Sequence, residues 1–208
     1  MSAMTAIIIS SLALLVSAGT AYLTFLRRGR LRATLPTVVY FGPDGPKEAG
    51  LSKVYLRTLL YSTSRRGQVV ESMHVSVSRG ETRQNFSIWV LGDERLSRGS
   101  GLFVGEQGIA TNHHFLLPAD GTAFPFSAGH YDLRLFAKRV GDRRSRELLC
   151  LHLTVTDAHA GALLREDCGL YFDWGPDQEA YHAHVRGDRP RLELPKGLLE
   201  EASRITTG

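Results

Sequence analysis

The chain has 208 residues, of which 43% are hydrophobic and 22% are charged, and its formal net charge is +4. This length and apolar share suit one globular domain with a hydrophobic core, or one domain with a tail. Several of the arginines adjoin the apolar N-terminal segment, so the remaining chain is near neutral. That balance argues against a nucleic-acid-binding protein, which concentrates basic residues in one patch.

The N-terminal segment from Met4 to Leu26 carries no charged residue. It is long enough to cross a bilayer core as a helix, which takes about 20 residues. A cleavable signal peptide is the alternative, with Val16-Ser17-Ala18 as its cleavage site, but signal peptides begin with basic residues and have shorter apolar cores. Because Met1–Ala3 contains no Lys or Arg and the apolar run continues beyond Ala18, the sequence favours an uncleaved anchor.

Four arginines follow this segment and predict its orientation: Arg27, Arg28, Arg30 and Arg32. Because Lys and Arg collect on the cytoplasmic side of membrane helices, we expect the N-terminus outside and the following domain in the cytoplasm. At that surface the arginines would also meet anionic lipid headgroups, so the lipid bilayer is the first expected partner. Small residues within the segment permit close helix–helix contact, which suggests a homo-oligomer through the membrane helix.

The chain from Thr37 onward alternates short apolar runs with turn residues, as β-strands joined by tight turns do. In the clearest run, Met73, Val75 and Val77 face one way and the intervening residues face the other. The predicted strands are 37–41, 53–61 (a strand in preference to a helix), 69–77, 86–91, a pair at 101–104 and 109–117, 131–135 and 149–155. About seven closely spaced strands predict an antiparallel sandwich.

Two aromatic residues make this pattern more specific. Trp89 lies in a middle strand, and Tyr131 stands at the entry to a later strand. The stretch from Val69 to Thr156 resembles an immunoglobulin-like or fibronectin-like domain, in which a Trp is buried and a Tyr closes a corner by bonding back to the chain. The resemblance implies a mainly β fold, with an N-terminal transmembrane helix followed by an antiparallel immunoglobulin-like β-sandwich and a short C-terminal extension. It implies no particular function.

The predicted organisation has three regions. Residues 1–32 form the transmembrane anchor and its basic flank, 33–157 form the β-sandwich domain, and 158–208 form a C-terminal extension that packs on the sandwich and ends in a tail. Within the extension, the sequence predicts a short helix, an aromatic strand with a turn, a further short strand and a weak terminal helix or frayed tail, at 158–165, 170–176, 181–185 and 198–204.

A stretch from Gly99 to Phe115 resembles the region around the catalytic histidine of trypsin-like serine peptidases of the bacterial stress-protease type. That resemblance would make His114 a general base and Asp132 the carboxylate that orients it. No serine nucleophile follows in a Gly-rich sequence, and too little chain remains for a second barrel, so no catalytic residue is predicted. His113, His114, His130 and Asp132 stay together as one candidate cluster.

Two other pairs of potential metal ligands share a strand face, His182 with His184 and Cys150 with His152, because side chains two residues apart point to the same side. They would bind zinc only if their strands met in a tetrahedral arrangement. The adjacent histidines at 113–114 would point to opposite faces. No metal site and no cofactor are therefore predicted.

The two cysteines, Cys150 and Cys168, lie in no metal-binding or redox spacing. In the cytoplasm we expect both as reduced thiols. If the domain lay outside instead, the two would be candidates for one disulfide.

These features favour a membrane-anchored, non-catalytic β-sandwich module for protein interaction or scaffolding at the membrane surface. Its expected partner is a protein bound through edge strands or loops, as in strand addition, and no nucleic acid is expected. The alternative is a membrane-tethered sensor of a small ligand. A hydrolase or metalloenzyme built on the histidines is the third hypothesis.

Overall fold

The computed structural model describes residues 3–26, 29–44, 52–92, 97–118, 124–165 and 168–187. Helix α1 (Ala3–Ala21) continues as a π-helical turn over Tyr22–Leu26. The helix is apolar on all sides, and none of its residues is buried. The stretch Ala3–Thr24 has a mean hydropathy of 2.0 and is long enough to span a membrane, a length and composition that membrane anchors share with signal sequences.

The rest of the described chain is mainly antiparallel β-structure, with one further helix, α2 (Asp157–Arg165). Alternation of apolar and polar residues marks three of its long strands, at 68–79, 129–139 and 146–155, because successive side chains of a strand point to opposite faces. In chain order the described strands are β1 (Leu31–Ala33), β2 (Val38–Pro43), β3 (Ser52–Ser62), β4 (Gln68–Arg79), β5 (Thr82–Phe86), β6 (Ile88–Leu91), β7 (Ser97–Arg98), β8 (Leu102–Val104), β9 (Ile109–Leu116), β10 (Gly129–Arg139), β11 (Arg146–Val155), β12 (Gly169–Gly175) and β13 (Ala180–Arg186).

The described strands form two antiparallel sheets. The larger has eight strands in the order β13-β12-β2-β3-β9-β6-β7, with β1 also pairing with β3. The smaller has five in the order β11-β10-β4-β5, with β8 also pairing with β4. Immunoglobulin-type domains divide only seven to nine strands between their sheets, so the larger sheet here is wider than that pattern.

Residues of both sheets share one hydrophobic cluster. Phe41 and Phe172 come from the larger sheet, Phe86 and Leu133 come from the smaller, and all are almost fully buried. Full burial of each such side chain contributes about 1.5–3 kcal/mol, so this shared core is the main stabilising element of the domain.

Two strand assignments made from the sequence were wrong in the same way. The sequence predicts the run 86–91 as one strand, but β5 pairs with β4 in the smaller sheet and β6 pairs with β9 in the larger sheet. The strands predicted as a pair around the turn at 105–108 also separate, since β8 pairs with β4 and β9 pairs with β3. At both points the chain crosses from one sheet to the other. The alternation of apolar and polar residues within a segment does not indicate which sheet the segment joins.

Both aromatic residues behave as the sequence predicted. Tyr131 is buried, and its hydroxyl donates a hydrogen bond of 2.7 Å to the carbonyl oxygen of Ser127, four residues upstream. Trp89 is buried in β6, and its indole N–H donates to His113 at 3.1 Å.

The sequence predicts that residues 158–208 form an extension packed on the sandwich, and the strands described there, β12 and β13, join the larger sheet itself. Helix α2 and strands β12 and β13 lie close to their predicted positions, but β12 pairs directly with β2. The two strands therefore belong to the larger sheet. Strand β1 likewise begins inside the segment assigned to the basic flank. The predicted terminal helix at 198–204 lies outside the described residues.

Candidate functional site

The two sheets are joined differently along their two sides. On one side, β5 runs into β6 through the single residue Ser87, so the chain itself links the sheets. On the other side, β11 and β13 are the outermost described strands of their sheets, and each pairs with one neighbour only. On this open side, no described strand pairs with the outer edge of β11 or of β13.

An open groove of about 590 Å³ lies between these edges, and we call it the edge groove. Its apolar lining includes Leu151, Leu153 and Phe172, which also belong to the common core. Its polar and aromatic lining comes from β11, α2, β12 and β13: Cys150, His152, Thr154, His159, Trp174 and Tyr181. The groove thus combines an apolar floor with a mixed rim.

Most polar groups of the edge groove are already engaged. The Nδ1 atom of His152 lies 2.7 Å from a carboxylate oxygen of Asp132. The hydroxyl of Tyr181 donates to the carbonyl oxygen of Pro36 at 2.8 Å, its ring lies 5.0 Å from that of Trp174, and burial raises its pKa. Nδ1 of His159 is buried and has no hydrogen-bond partner among the described residues. The contacts of the other rim residues fix His152, Trp174 and Tyr181 in place.

Strand β11 has few of the features that protect exposed sheet edges. Natural edges are commonly interrupted by Lys, Pro, bulges or inward-pointing charges. The pairing of β11 with β10 is irregular at Leu148, but from Leu149 to Val155 the strand has no Pro, Lys, Arg, Asp or Glu, and its one histidine, His152, contacts Asp132. Burial raises the pKa of the Cys150 thiol, so this cysteine is a weak nucleophile that lines the groove. This length of unprotected edge is suited to pairing with another extended segment.

The candidate histidine cluster predicted from the sequence is divided by the fold. His113 points into the core and His114 points to the opposite face of the larger sheet. His130 and Asp132 lie on the outer face of the smaller sheet, because Tyr131 and Leu133 between and beside them face the core. Two outer faces are separated by at least the sheet spacing of about 10 Å. His114 and Asp132 are therefore not placed as a catalytic pair.

His113 has a structural environment. Nδ1 accepts the hydrogen bond from Trp89, so the proton of the neutral ring lies on Nε2, which is buried without a partner. Burial lowers its pKa to about 4. The ring is thus neutral at physiological pH and acts as an internal acceptor for the buried indole.

His114 belongs to a row of rings across the outer face of the larger sheet. Its ring lies 4.9 Å from Tyr55, and the strand register continues the row through Tyr40 and Tyr171 to His184. Burial, as the larger cause, and the positive charge of Lys53 together lower the pKa of His114 to about 3. The nearby backbone of Gly92 raises the pKa and so opposes this shift, although it forms no well-formed hydrogen bond with either ring nitrogen.

The remaining sequence predictions are placed as follows. His182 and His184 share β13 as expected, and within the described ranges no group of three or more His, Cys, Asp or Glu residues is arranged to hold a metal ion. Cys150 and Cys168 are free thiols. Arg30 and Arg32 are exposed beside and within β1, whereas Arg27 and Arg28 lie outside the described residues.

Sequence reasoning missed the edge groove, because its two walls are about 25 residues apart in the chain. One signal was present: the aromatic run 170–174 and the alternation after Tyr181 are typical of strands. Comparison of the chain with protein-family models, with curated proteins and with solved structures found no match in any of the three.

Proposed function

We propose that this protein is a membrane-anchored, non-catalytic interaction module, in which an immunoglobulin-like β-sandwich holds an extended segment of a partner protein in the edge groove. The observation that carries the proposal is the open side of the domain, where a groove with an apolar floor lies between two strand edges that no other described strand pairs with. In strand addition, the main chain of an edge supplies hydrogen bonds and adjacent pockets supply specificity.

The anchor is supported by the environment that helix α1 requires. Large apolar side chains are exposed all around it, including Ile7, Leu12 and Leu15. A continuous apolar surface of this kind is stable in a membrane and unfavourable in water. The arginines that follow the helix support a cytoplasmic domain and an external N-terminus.

The sandwich assignment is supported by the core that both sheets share and by the hydrogen bond that closes the corner at Tyr131. The larger sheet has more strands than a sheet of an immunoglobulin domain. This difference makes the sheet wider but does not alter the face-to-face packing of two sheets that defines a sandwich.

A small-ligand sensor is the second candidate. The edge groove has about 590 Å³ of space, within the range of about 300–1,000 Å³ that is common for ligand pockets, and Trp174 and Tyr181 offer aromatic contact. A groove that is open along two strand edges suits an extended chain better than it suits a compact molecule. A histidine-based hydrolase has least support, because the candidate residues lie on different faces.

The test uses the full chain in nanodiscs with a photo-crosslinking residue in place of Thr154, which is exposed on β11. The matched control places the same residue at Thr82, which is exposed on β5 at the other side of the smaller sheet. The proposal predicts a protein crosslink from position 154 only. When that partner is added back, backbone amides of β11 or β13 should gain protection from hydrogen exchange, while those of β5 should not.

Three results would contradict the proposal. Crosslinks of equal yield from both positions would mark nonspecific contact. Protection confined to other strands would place the partner elsewhere. If truncation after Gly187 raised exchange in β11 and β13 without any partner, the groove would be occupied by the chain's own C-terminal residues. Thermal stabilisation by a metabolite, with no protein partner, would favour the sensor.

A further inference from the structure

Two hairpin turns meet close to the point where the chain leaves helix α1. The amide of Arg30 donates to the Thr63 hydroxyl at 2.7 Å, and the amide of Thr63 donates back to the Arg30 carbonyl at 3.0 Å. The carbonyl of Gly29 accepts hydrogen bonds from Gln68 at 3.2 Å and from Arg139 at 3.3 Å. The β3–β4 and β10–β11 turns are therefore both fixed next to Gly29.

This end of the domain is close to the end of the helix. Gly29 is three residues beyond Leu26, and an extended chain covers at most about 3.6 Å per residue. The helix thus ends within about 11 Å of Gly29. If α1 spans a membrane, both turns are within reach of the bilayer surface whatever the tilt of the helix.

The same end is strongly basic. Eight described arginines converge on it, although they come from three separate parts of the sequence; we call them the arginine face: Arg30, Arg32, Arg65, Arg66, Arg139, Arg143, Arg144 and Arg146. Among the described residues, three carboxylates lie beside them, Glu106, Asp142 and Glu147. The whole chain has a net charge of only +4, so the positive charge is concentrated here.

Asp142 neutralises only part of this charge. Its carboxylate binds the guanidinium of Arg139 at 2.8 and 3.0 Å, and these contacts lower the pKa of Asp142. Arg65 and Arg146 keep 73% and 68% of their side chains exposed, and their carboxylate partners lie 3.6–3.7 Å away. Ion pairs of this exposure contribute little, so these guanidinium groups remain available to another anion.

Four members of the arginine face line one concavity. Arg30, Arg32, Arg139 and Arg146 surround a space of about 220 Å³ between β1 and the start of β11, with Glu147 at its edge. Guanidinium groups bind phosphate oxygens in a bidentate manner, and several of them around one space are typical of phosphate recognition.

Exposed apolar side chains lie among these arginines. Val140, at the tip of the β10–β11 turn, is 65% exposed, and Phe103 is 59% exposed. With Val69 they line a second groove of about 360 Å³ that also includes Arg66 and Arg139. Apolar side chains beside a basic surface are typical of segments that lie in the interfacial region of a membrane.

We propose that the arginine face docks onto the surface of an anionic phospholipid bilayer, with lipid phosphates against the guanidinium groups and with Val140 and Phe103 in the interfacial region. This rests on the proposed membrane anchor and adds a fixed orientation of the domain to it. The charge of the face is complementary to anionic headgroups, and its position next to the helix end brings it to them. Docking leaves the edge groove open at the side of the domain.

The experiment uses the full chain in nanodiscs made either of phosphatidylcholine alone or of phosphatidylcholine with phosphatidylglycerol, each with brominated acyl chains. A Val140→Trp substitution reports contact with lipid through quenching, measured as the difference from the unsubstituted chain. Glu81→Trp is the matched control, because the turn at Gly80–Glu81 lies at the opposite end of β4. We expect quenching of the Val140→Trp protein in anionic discs only, and none for Glu81→Trp.

Charge variants test the arginine face itself. Arg143→Gln with Arg144→Gln should lower the docking equilibrium constant by about 25-fold, since each arginine near an anionic surface contributes about fivefold. Arg143→Lys with Arg144→Lys keeps the charge and should retain most of the quenching, which separates electrostatics from a folding defect. Added inorganic phosphate should not release the quenching.

The failures of the two proposals are distinguishable. If the chain does not copurify with either kind of nanodisc, the anchor is refuted, and the docking that depends on it is refuted as well. If the chain is incorporated but quenching is absent or independent of lipid charge, only the docking is refuted. Full release by inorganic phosphate would assign the arginines to a soluble phosphate compound and would equally overturn membrane docking.

Discussion

The two buried histidines predict a pH dependence of stability. Folding lowers the pKa of His113 to about 4 and that of His114 to about 3, from an ordinary value of 6.5. The unfolded chain therefore binds more protons than the folded chain whenever the pH falls below 6.5. The free energy of unfolding is therefore highest above pH 6.5 and decreases progressively as the pH decreases towards the pKa values of the folded state.

The magnitude follows from the size of this window. A pH of 5 lies 1.5 units below the pKa of a histidine in the unfolded chain, and one unit corresponds to about 1.36 kcal/mol. Each buried ring therefore lowers the free energy of unfolding at pH 5 by about 2 kcal/mol. Together His113 and His114 should lower the free energy of unfolding by about 4 kcal/mol between pH 8 and pH 5. Burial and the charge of Arg83 also lower the pKa of His74, which adds to the slope in the same direction.

Urea unfolding of the full chain in detergent at several pH values measures this slope. The double variant His113→Gln with His114→Phe removes both titrating rings, and Gln keeps an acceptor for the Trp89 indole. It should lose most of the pH dependence, while His130→Gln, at an exposed position, should keep it. A parent protein with equal stability at pH 8 and pH 5, or a double variant with the parental slope, would refute this reasoning.

Two further predictions concern packing and the corner hydrogen bond. Gly169→Ala would place its Cβ 1.9 Å from the ring of Tyr40, so it should destabilise the domain by about 1–3 kcal/mol. Gly187→Ala, which meets no atom within 4 Å, is its control, and equal urea midpoints for the two variants would contradict the packing. Tyr131→Phe should cost about 1 kcal/mol through loss of the bond to Ser127. A thermal midpoint identical to that of the parent would show that the bond does not stabilise the corner.

Local patterns predicted the individual elements of the fold well. The alternation of Met73, Val75 and Val77 predicts β4, since a strand with one buried face requires a period of two. The apolar helix and the arginines that follow it can likewise be recognised from neighbouring residues alone. Ser87 shows the limit: the chain changes sheets there without any break in apolar character, so the run 86–91 reads as one strand.

The candidate sites were harder to predict because they are assembled from distant parts of the chain. The sequence predicts two unrelated solvated turns, one at Arg65-Arg66 and one at Arg143-Arg144. Only the hydrogen bonds to Gly29 show that these turns lie together. The edge groove likewise depends on which strands lie outermost, and β13 was assigned to an extension. Sheet order is a property of non-local pairing, which single-sequence patterns do not specify.

The central claim is that an uncleaved helix holds this domain on the cytoplasmic side of a membrane. The most direct measurement is a topology reporter fused to the C-terminus, combined with the intact mass of the protein from the membrane fraction. The account predicts a full-length, membrane-bound protein with its C-terminus in the cytoplasm. A protein that lacks residues 1–18, or a C-terminus on the outer side of the membrane, would contradict it.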